Sequence, residues 1–177
     1  GETHDIDLAA DRVVVTTGSS GGFMLAFLSA FDTGDRVALA DPGYPAYRNI
    51  LSALGIEAVA IPTTIDDRYQ PTPELLDRVV RETGAIDGLI VASPANPTGT
   101  MLAAAEMKAL TGYCDANGIR LISDEIYHGI TYEGAGETAL SFTDNAFIVN
   151  SFSKNMNICP TPTLRFFHLW VDFVLIL

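Results

Sequence analysis

The 177-residue sequence predicts an α/β domain of three layers, a mostly parallel sheet with helices on both faces. Three observations carry that expectation. Short β-branched runs alternate with helix-length amphipathic segments along the chain. The runs are almost continuously apolar, as strands are when both faces of a parallel sheet are covered. A composition of 48% apolar and 18% charged residues supplies a substantial core and argues against disorder.

Strands are expected near Arg12–Thr16, Arg36–Ala40, Glu57–Ile61, Gly88–Ala92, Arg120–Ser123 and Ala146–Asn150. Helices are expected near Gly21–Phe31, Pro45–Leu54, Thr72–Thr83 and Ala103–Asn117, with a turn at Ala139–Phe142. Punctuation supports these bounds. Asp32-Thr33-Gly34-Asp35 closes the first helix, Thr72-Pro73-Glu74 opens the third with a cap and a first-turn proline, and Asn117-Gly118 ends the fourth with a left-handed cap. No repeat, low-complexity tract or linker interrupts the series. The run Leu164–Leu177 is apolar but contains Arg165, His168 and Asp172, and it falls short of the roughly 20 apolar residues a bilayer span requires. It reads as a non-native or buried strand-like tail.

Ten basic residues against twenty-two acidic ones give a net charge of −12, with no local basic cluster. Such a chain repels nucleic acid and anionic lipid. Cys114 and Cys159 have neither the number nor the spacing of a disulfide framework or zinc site, so no metal is expected and a reducing, cytoplasmic setting is the simpler reading. The polar start, with Glu2, His4, Asp5 and Asp7, does not resemble a signal peptide.

Ligand groups of open α/β sheets gather at the carboxyl ends of the strands. Gly18, Tyr44, Asn96, Asp124 and Lys154 each follow an expected strand closely. Thr17-Gly18-Ser19-Ser20-Gly21-Gly22 joins a strand to a helix, where backbone N–H groups and hydroxyls can receive a phosphate. It lacks the Gly-Lys-Ser/Thr ending of a P-loop and does not read G-x-G-x-x-G. Taken singly, these features have plainer readings: Ser-Phe-Ser-Lys as an exposed surface lysine, Asn96-Pro97 as an ordinary turn, Tyr44 as a core residue.

Taken together, three motifs are more specific. Ser93-Pro94-Ala95-Asn96-Pro97-Thr98-Gly99, Ser123-Asp124-Glu125-Ile126-Tyr127 and Asn150-Ser151-Phe152-Ser153-Lys154 occur in the order and spacing of one family. From Thr16 to about Asn157 the chain resembles the class I and II pyridoxal-phosphate aminotransferases of fold type I. The resemblance implies that Lys154 forms the internal aldimine with pyridoxal 5'-phosphate and serves as general base and acid. It implies that Asp124 pairs with the protonated pyridine nitrogen, while Asn96 and Tyr127 donate to the phenolate oxygen. Tyr44 stacks on the ring; Gly18, Ser19 and Ser20 cradle the phosphate, with hydroxyls added by Ser151 and Ser153. Glu125 receives no catalytic role, and Tyr47 is read as packing. The implied reaction passes an amino group from an amino acid to a 2-oxo acid, in a full-length parent that is a homodimer.

The same motifs are similar to those of carbon–sulfur lyases, and to aminotransferase-like domains of transcription regulators. After Asn157 the resemblance stops. The family's phosphate-binding arginine, eight positions past the lysine, is replaced by Pro162, and Arg165 falls three residues late. The expected division is therefore 1–157 as a partial cofactor-binding large domain and 158–177 as an apolar tail outside the family pattern. The small domain is absent, and a truncated or frame-disrupted product with impaired activity is expected.

Overall fold

The computed structural model describes residue 6, residues 8–132, 134 and 136–151, and the backbone of 173–176. The strands are Val13–Thr16 (β1), Arg36–Asp41 (β2), Glu57–Pro62 (β3), Gly88–Ala92 (β4), Arg120–Asp124 (β5), Ala146–Ser151 (β6) and Phe173–Ile176 (β7). The helices are Ser19–Ala30 (α1), Pro45–Ala53 (α2), Pro73–Thr83 (α3) and Ala104–Asn117 (α4), and the turn expected near 139–142 is a 3-10 turn at Ala139–Ser141.

The seven strands form one sheet in the order β1-β7-β6-β5-β4-β2-β3. From β3 across to β6 every pairing is parallel, and β7 inserts antiparallel between β6 and β1. The expectation of six strands thus omits one. Part of the apolar tail is a strand inside the sheet, with Val13 opposite Ile176 and Ser151 opposite Phe173.

Both faces of the sheet are buried, which explains the continuous apolar runs. Leu89 and Val91 join one core cluster with Leu75, Leu76 and Val79 of α3 and Met107 and Leu110 of α4. Ile90, between them, joins the opposite cluster with Phe23 and Phe27 of α1 and Leu51 of α2. Leu121 and Ile122 divide in the same way, as do Ile148 and Val149. Alternate residues of one strand thus serve two cores, and burying each such side chain contributes about 1.5–3 kcal/mol.

Local chemistry sets the helix ends. Thr72 caps α3 by accepting from the Leu75 N–H at 3.3 Å, with Pro73 in the first turn. The Glu106 carboxylate reaches back to accept from the Ala103 N–H at 2.7 Å at the start of α4. Gly118 ends α4 at φ 68°, the left-handed conformation glycine adopts without penalty. Helix α1 begins at Ser19, two residues before the expected Gly21, because Gly18 at φ 85° turns the chain directly from strand to helix.

Packing is tight where β4 begins: a Cβ at Gly88 would overlap the Phe31 ring and press on the Arg120 carbonyl. Gly88→Ala is expected to destabilise the domain by about 1–3 kcal/mol, as overpacked cores do. Urea unfolding would show this as a lower midpoint with an unchanged slope.

Candidate functional site

The strand order reverses between β2 and β4: the chain leaves β2 for β3 on one side and returns to place β4 on the other. Such a switch point opens a crevice at the carboxyl ends of the strands. A cleft lies there, lined by Pro42, Gly43 and Tyr44 after β2, Gln70 and Pro71 after β3, and Ala92 and Asn96 at the end of β4. A second cleft shares Asn96 and adds Tyr127, Met101 and Tyr132. Asn96 therefore stands between two openings, with Tyr44 on one and Tyr127 on the other.

Asp124 is the last residue of β5, not the first beyond it, and is only 4% exposed. Its backbone is in register with Ala92 and Val149 on the neighbouring strands. One carboxylate oxygen accepts from the Ile126 N–H at 3.1 Å, and the other accepts a short hydrogen bond from the Tyr47 hydroxyl. Among the described residues no cation pairs with it. Burial pushes its pKa up from 3.8 to about 6, against the opposing pull of the Tyr47 and Ile126 hydrogen bonds.

Tyr47 corrects the sequence reading. It does pack, against Phe23 at 5.0 Å between ring centroids and against Tyr44 at 5.4 Å, both edge-on. Its hydroxyl, however, is spent on Asp124, and burial with that neighbouring carboxylate raises the Tyr47 pKa well above the ordinary value. The available signal was its spacing, since a residue three positions after Tyr44 at a helix start returns to the same face. Gln70 was also missed: 2% exposed, it donates to the Thr100 carbonyl at 3.0 Å and the Ala92 carbonyl at 3.2 Å, tying the Asn96 loop to the segment after β3.

Gly18, Ser19 and Ser20 lie at the carboxyl end of β1, where α1 begins. The first-turn N–H groups point out of a 12-residue helix whose first turn carries no acidic side chain, unlike α3 with Glu74 and α4 with Glu106. Among the described residues no atom lies within 4 Å of where a Gly18 Cβ would be, so they leave the approach to that backbone open. Ser151 ends β6 and is buried. Ser153 and Lys154 lie outside the described residues, as do Cys159, Pro162 and Arg165.

Glu125 points away from this site. Its carboxylate accepts from Ser123 Oγ and the Ala139 N–H, each at 2.9 Å, and lies 3.5 Å from His128 Nδ1. Among the described residues no group of His, Cys, Asp and Glu has the arrangement of a metal site, and no helix is long and apolar enough to cross a membrane.

Fold and site together define an α/β domain with a buried carboxylate at one strand end and an open helix start at another. The family model for aminotransferase class I and II matches residues 1–159, and the chain belongs to that family. It is 55% identical over 153 residues to a valine–pyruvate aminotransferase of Mycobacterium tuberculosis, covering 85% of this chain and 39% of that protein. It is 32% identical over 156 residues to a (5-formylfuran-3-yl)methyl phosphate transaminase of Methanocaldococcus jannaschii, covering 86% of this chain and 38% of that one. A crystal structure of an aminotransferase from Mycobacterium tuberculosis superposes with a TM-score of 0.84 at 48% identity, covering 99% of this chain and 43% of that chain. The chain thus spans about two fifths of the length of these relatives.

Members of the family use pyridoxal phosphate. The donor set here fits that group: a buried carboxylate without a cation suits a protonated pyridine nitrogen, and the open start of α1 suits a phosphate.

Buried Asp124 also sets a pH dependence. Its folded pKa lies above its unfolded value, so its share of stability is fully present below about 3.8 and is lost as pH rises through about 6. The span corresponds to about 3 kcal/mol. Asp124→Asn is expected to raise the thermal midpoint of the cofactor-free chain at pH 8 while leaving it nearly unchanged at pH 4. A comparable decline should follow nearer pH 7 from Glu125, which burial raises from 4.5 to about 7. Thermal unfolding monitored by circular dichroism at several pH values measures both.

Proposed function

We propose that this chain is the cofactor-binding portion of a pyridoxal-phosphate-dependent aminotransferase that passes an amino group between an amino acid and a 2-oxo acid. The observation that carries the reading is Asp124: a buried carboxylate at a strand end with no cation paired to it among the described residues, bonded to Tyr47 of the cleft that Tyr44 and Asn96 line, with Tyr127 on the adjoining cleft. The 55% identity to a valine–pyruvate aminotransferase supports a small aliphatic amino acid and pyruvate as the substrate pair.

The bound cofactor supplies an electron sink for the charge that develops when a proton leaves the substrate Cα. Asp124 holds the ring nitrogen protonated, which makes that sink effective. Tyr47 fixes the carboxylate that does so. Tyr44 offers an aromatic face for the ring, and Asn96 and Tyr127 donate hydrogen bonds to its phenolate oxygen. Gly18, Ser19 and Ser20 receive the phosphate, with hydroxyls from Ser151 and Ser153. Lys154, three residues past the end of β6, binds the cofactor aldehyde and then moves the proton at the substrate Cα. With Pro162 in place of the arginine that the family resemblance puts there, the phosphate is held without that charged partner. Activity of this chain alone is accordingly reduced, and residues 1–157 act as the cofactor-binding unit of a homodimeric parent.

Absorbance titration with pyridoxal phosphate, then borohydride reduction and peptide mapping, checks the assignment on the chain's two lysines. Labelling at Lys154 with Lys108 unmodified is the expected result, together with about a tenfold or greater loss of affinity in Asp124→Asn, since a buried charged pair is lost. Equal labelling of both lysines, or none, would remove the reading.

A further inference from the structure

Behind the candidate site, a second buried pair joins the segments that carry its residues. His128 is 7% exposed and Glu125 2%. The His128 Nε2 lies 2.8 Å from the Ser93 carbonyl oxygen. A carbonyl only accepts, so Nε2 carries a hydrogen. That leaves Nδ1 facing Glu125 Oε2 at 3.5 Å, close enough that a proton on either atom faces the other. Glu125 Oε1 is already occupied as an acceptor by Ser123 Oγ and the Ala139 N–H, and the Thr138 side chain also bonds the carboxylate.

We propose that Glu125 and His128 share one proton between Oε2 and Nδ1 and form a positioning latch, holding the Ser93–Asn96 segment against the strand end that presents Asp124 and Tyr127. With no shared proton, lone pairs would face each other in a space closed to water. With two, the pair would carry a buried positive charge. One proton leaves it neutral, either as carboxylic acid with imidazole or as carboxylate with imidazolium.

The surroundings suit this state. Burial brings the Glu125 acid to about 7, into the range of an imidazole. Among the described residues Asp124 is the one other charged group that acts on Glu125, and it too favours the protonated form. Ser93, Ser123, Thr138 and Ala139, which face the pair from the neighbouring segments, carry no charge. The imidazole cannot swing aside, because a Cβ at Gly136 would press on its ring, so backbone already lies against it. Further backbone bonds lock the same parts: Glu125 N–H to the Val149 carbonyl at 2.8 Å and Ser93 N–H to the Asp124 carbonyl at 3.2 Å. Ser93 Oγ accepts from the Leu102 N–H at 2.9 Å, closing the far side of the Asn96 loop.

The proton sharing is independent of the proposed function, whereas the consequence for Asn96 rests on it, so the test has two arms. The first is nitrogen-15 NMR of the histidines in the cofactor-free chain. The expected result is a His128 ring with Nε2 protonated throughout and a titration displaced from the ordinary midpoint near 6.5. Glu125→Gln, whose amide can still donate to Nδ1, should abolish that titration and leave His128 neutral. Titration at the ordinary midpoint, unchanged by Glu125→Gln, would overturn the sharing.

The second arm measures pyridoxal phosphate affinity and the pH midpoint of the bound cofactor's absorbance in His128→Leu, Asn96→Ala and the double variant. His128→Leu should weaken binding about tenfold, the worth of one hydrogen bond of ordinary strength, and shift the midpoint in the same direction as Asn96→Ala. The two effects should be non-additive, since both act through the Asn96 contact. Glu125→Gln should stay within about threefold of the unmodified chain. Additive losses with an unmoved midpoint would overturn the positioning role. No cofactor binding by the unmodified chain would remove the proposed function and the positioning role that rests on it, leaving the sharing to stand or fall on the NMR arm.

Discussion

Everything at the strand ends is arranged around a carboxylate that the fold buries without a cation. Asp124 occupies the end of a central strand, between Ala92 and Val149, with packed helices on both faces of the sheet. Withdrawing such a group from water costs several kcal/mol, and one hydroxyl and one backbone N–H offset only part of that. A chain selected for stability alone would hold an apolar residue here. The cost is understandable if a ligand brings the missing positive charge, in which case destabilisation of the free chain and affinity for the ligand are one free energy seen from two sides.

The neighbouring carboxylate shows how strand geometry separates roles. Ser123 and Glu125 share one side of the strand end, as their mutual hydrogen bond requires, and Asp124 lies on the other. One acid ends against Tyr47, which lines the cleft. The next is aimed behind it and ends against histidine. Both are raised by burial, yet only Asp124 is bonded to a side chain that lines the cleft, Tyr47. Two acids adjacent in sequence are thus given different tasks by environment alone.

Much of this was legible in the sequence, for identifiable reasons. Strands β2, β4, β5 and β6 announce themselves because burial on two faces forces continuous apolar runs, and α3 does so through Thr72, Pro73 and a single apolar stripe. Helix α1 was placed two residues late because Gly21 and Gly22 look like loop, while the turn is made by Gly18 alone. The place of β7 in the sheet could not be read, since an apolar run gives strand propensity but no partner or register. Ser93, Asn96, Asp124 and Tyr127 were legible as motif members. Gln70 and His128 were not, because each acts through a contact with a residue at least 22 positions away in sequence, and no local pattern encodes that distance; for Tyr47 the spacing from Tyr44 gave its face, while its bond to Asp124, 77 positions away, could not be read.

Charge poses a final constraint. A chain of net charge −12 is set to attract an anionic phosphate, which its overall field opposes. That field is screened beyond about 8 Å at physiological salt, so only the first shell decides the outcome. There α1, like α2 and unlike α3 and α4, carries no carboxylate in its first turn, so its positive end stays uncompensated. Neutral donors at that end each contribute about 0.5–1.5 kcal/mol, against about 1.5–3 for a charged one. On the proposed reading, with Pro162 where the family resemblance puts an arginine, phosphate contacts alone would hold the cofactor weakly. On the proposed reading, retention then falls to the two groups that act on the opposite end of the ligand, the Lys154 amine and the Asp124 carboxylate. The acid whose burial weakens the free chain is therefore the contact that this chain, more than a relative with the arginine, can least do without.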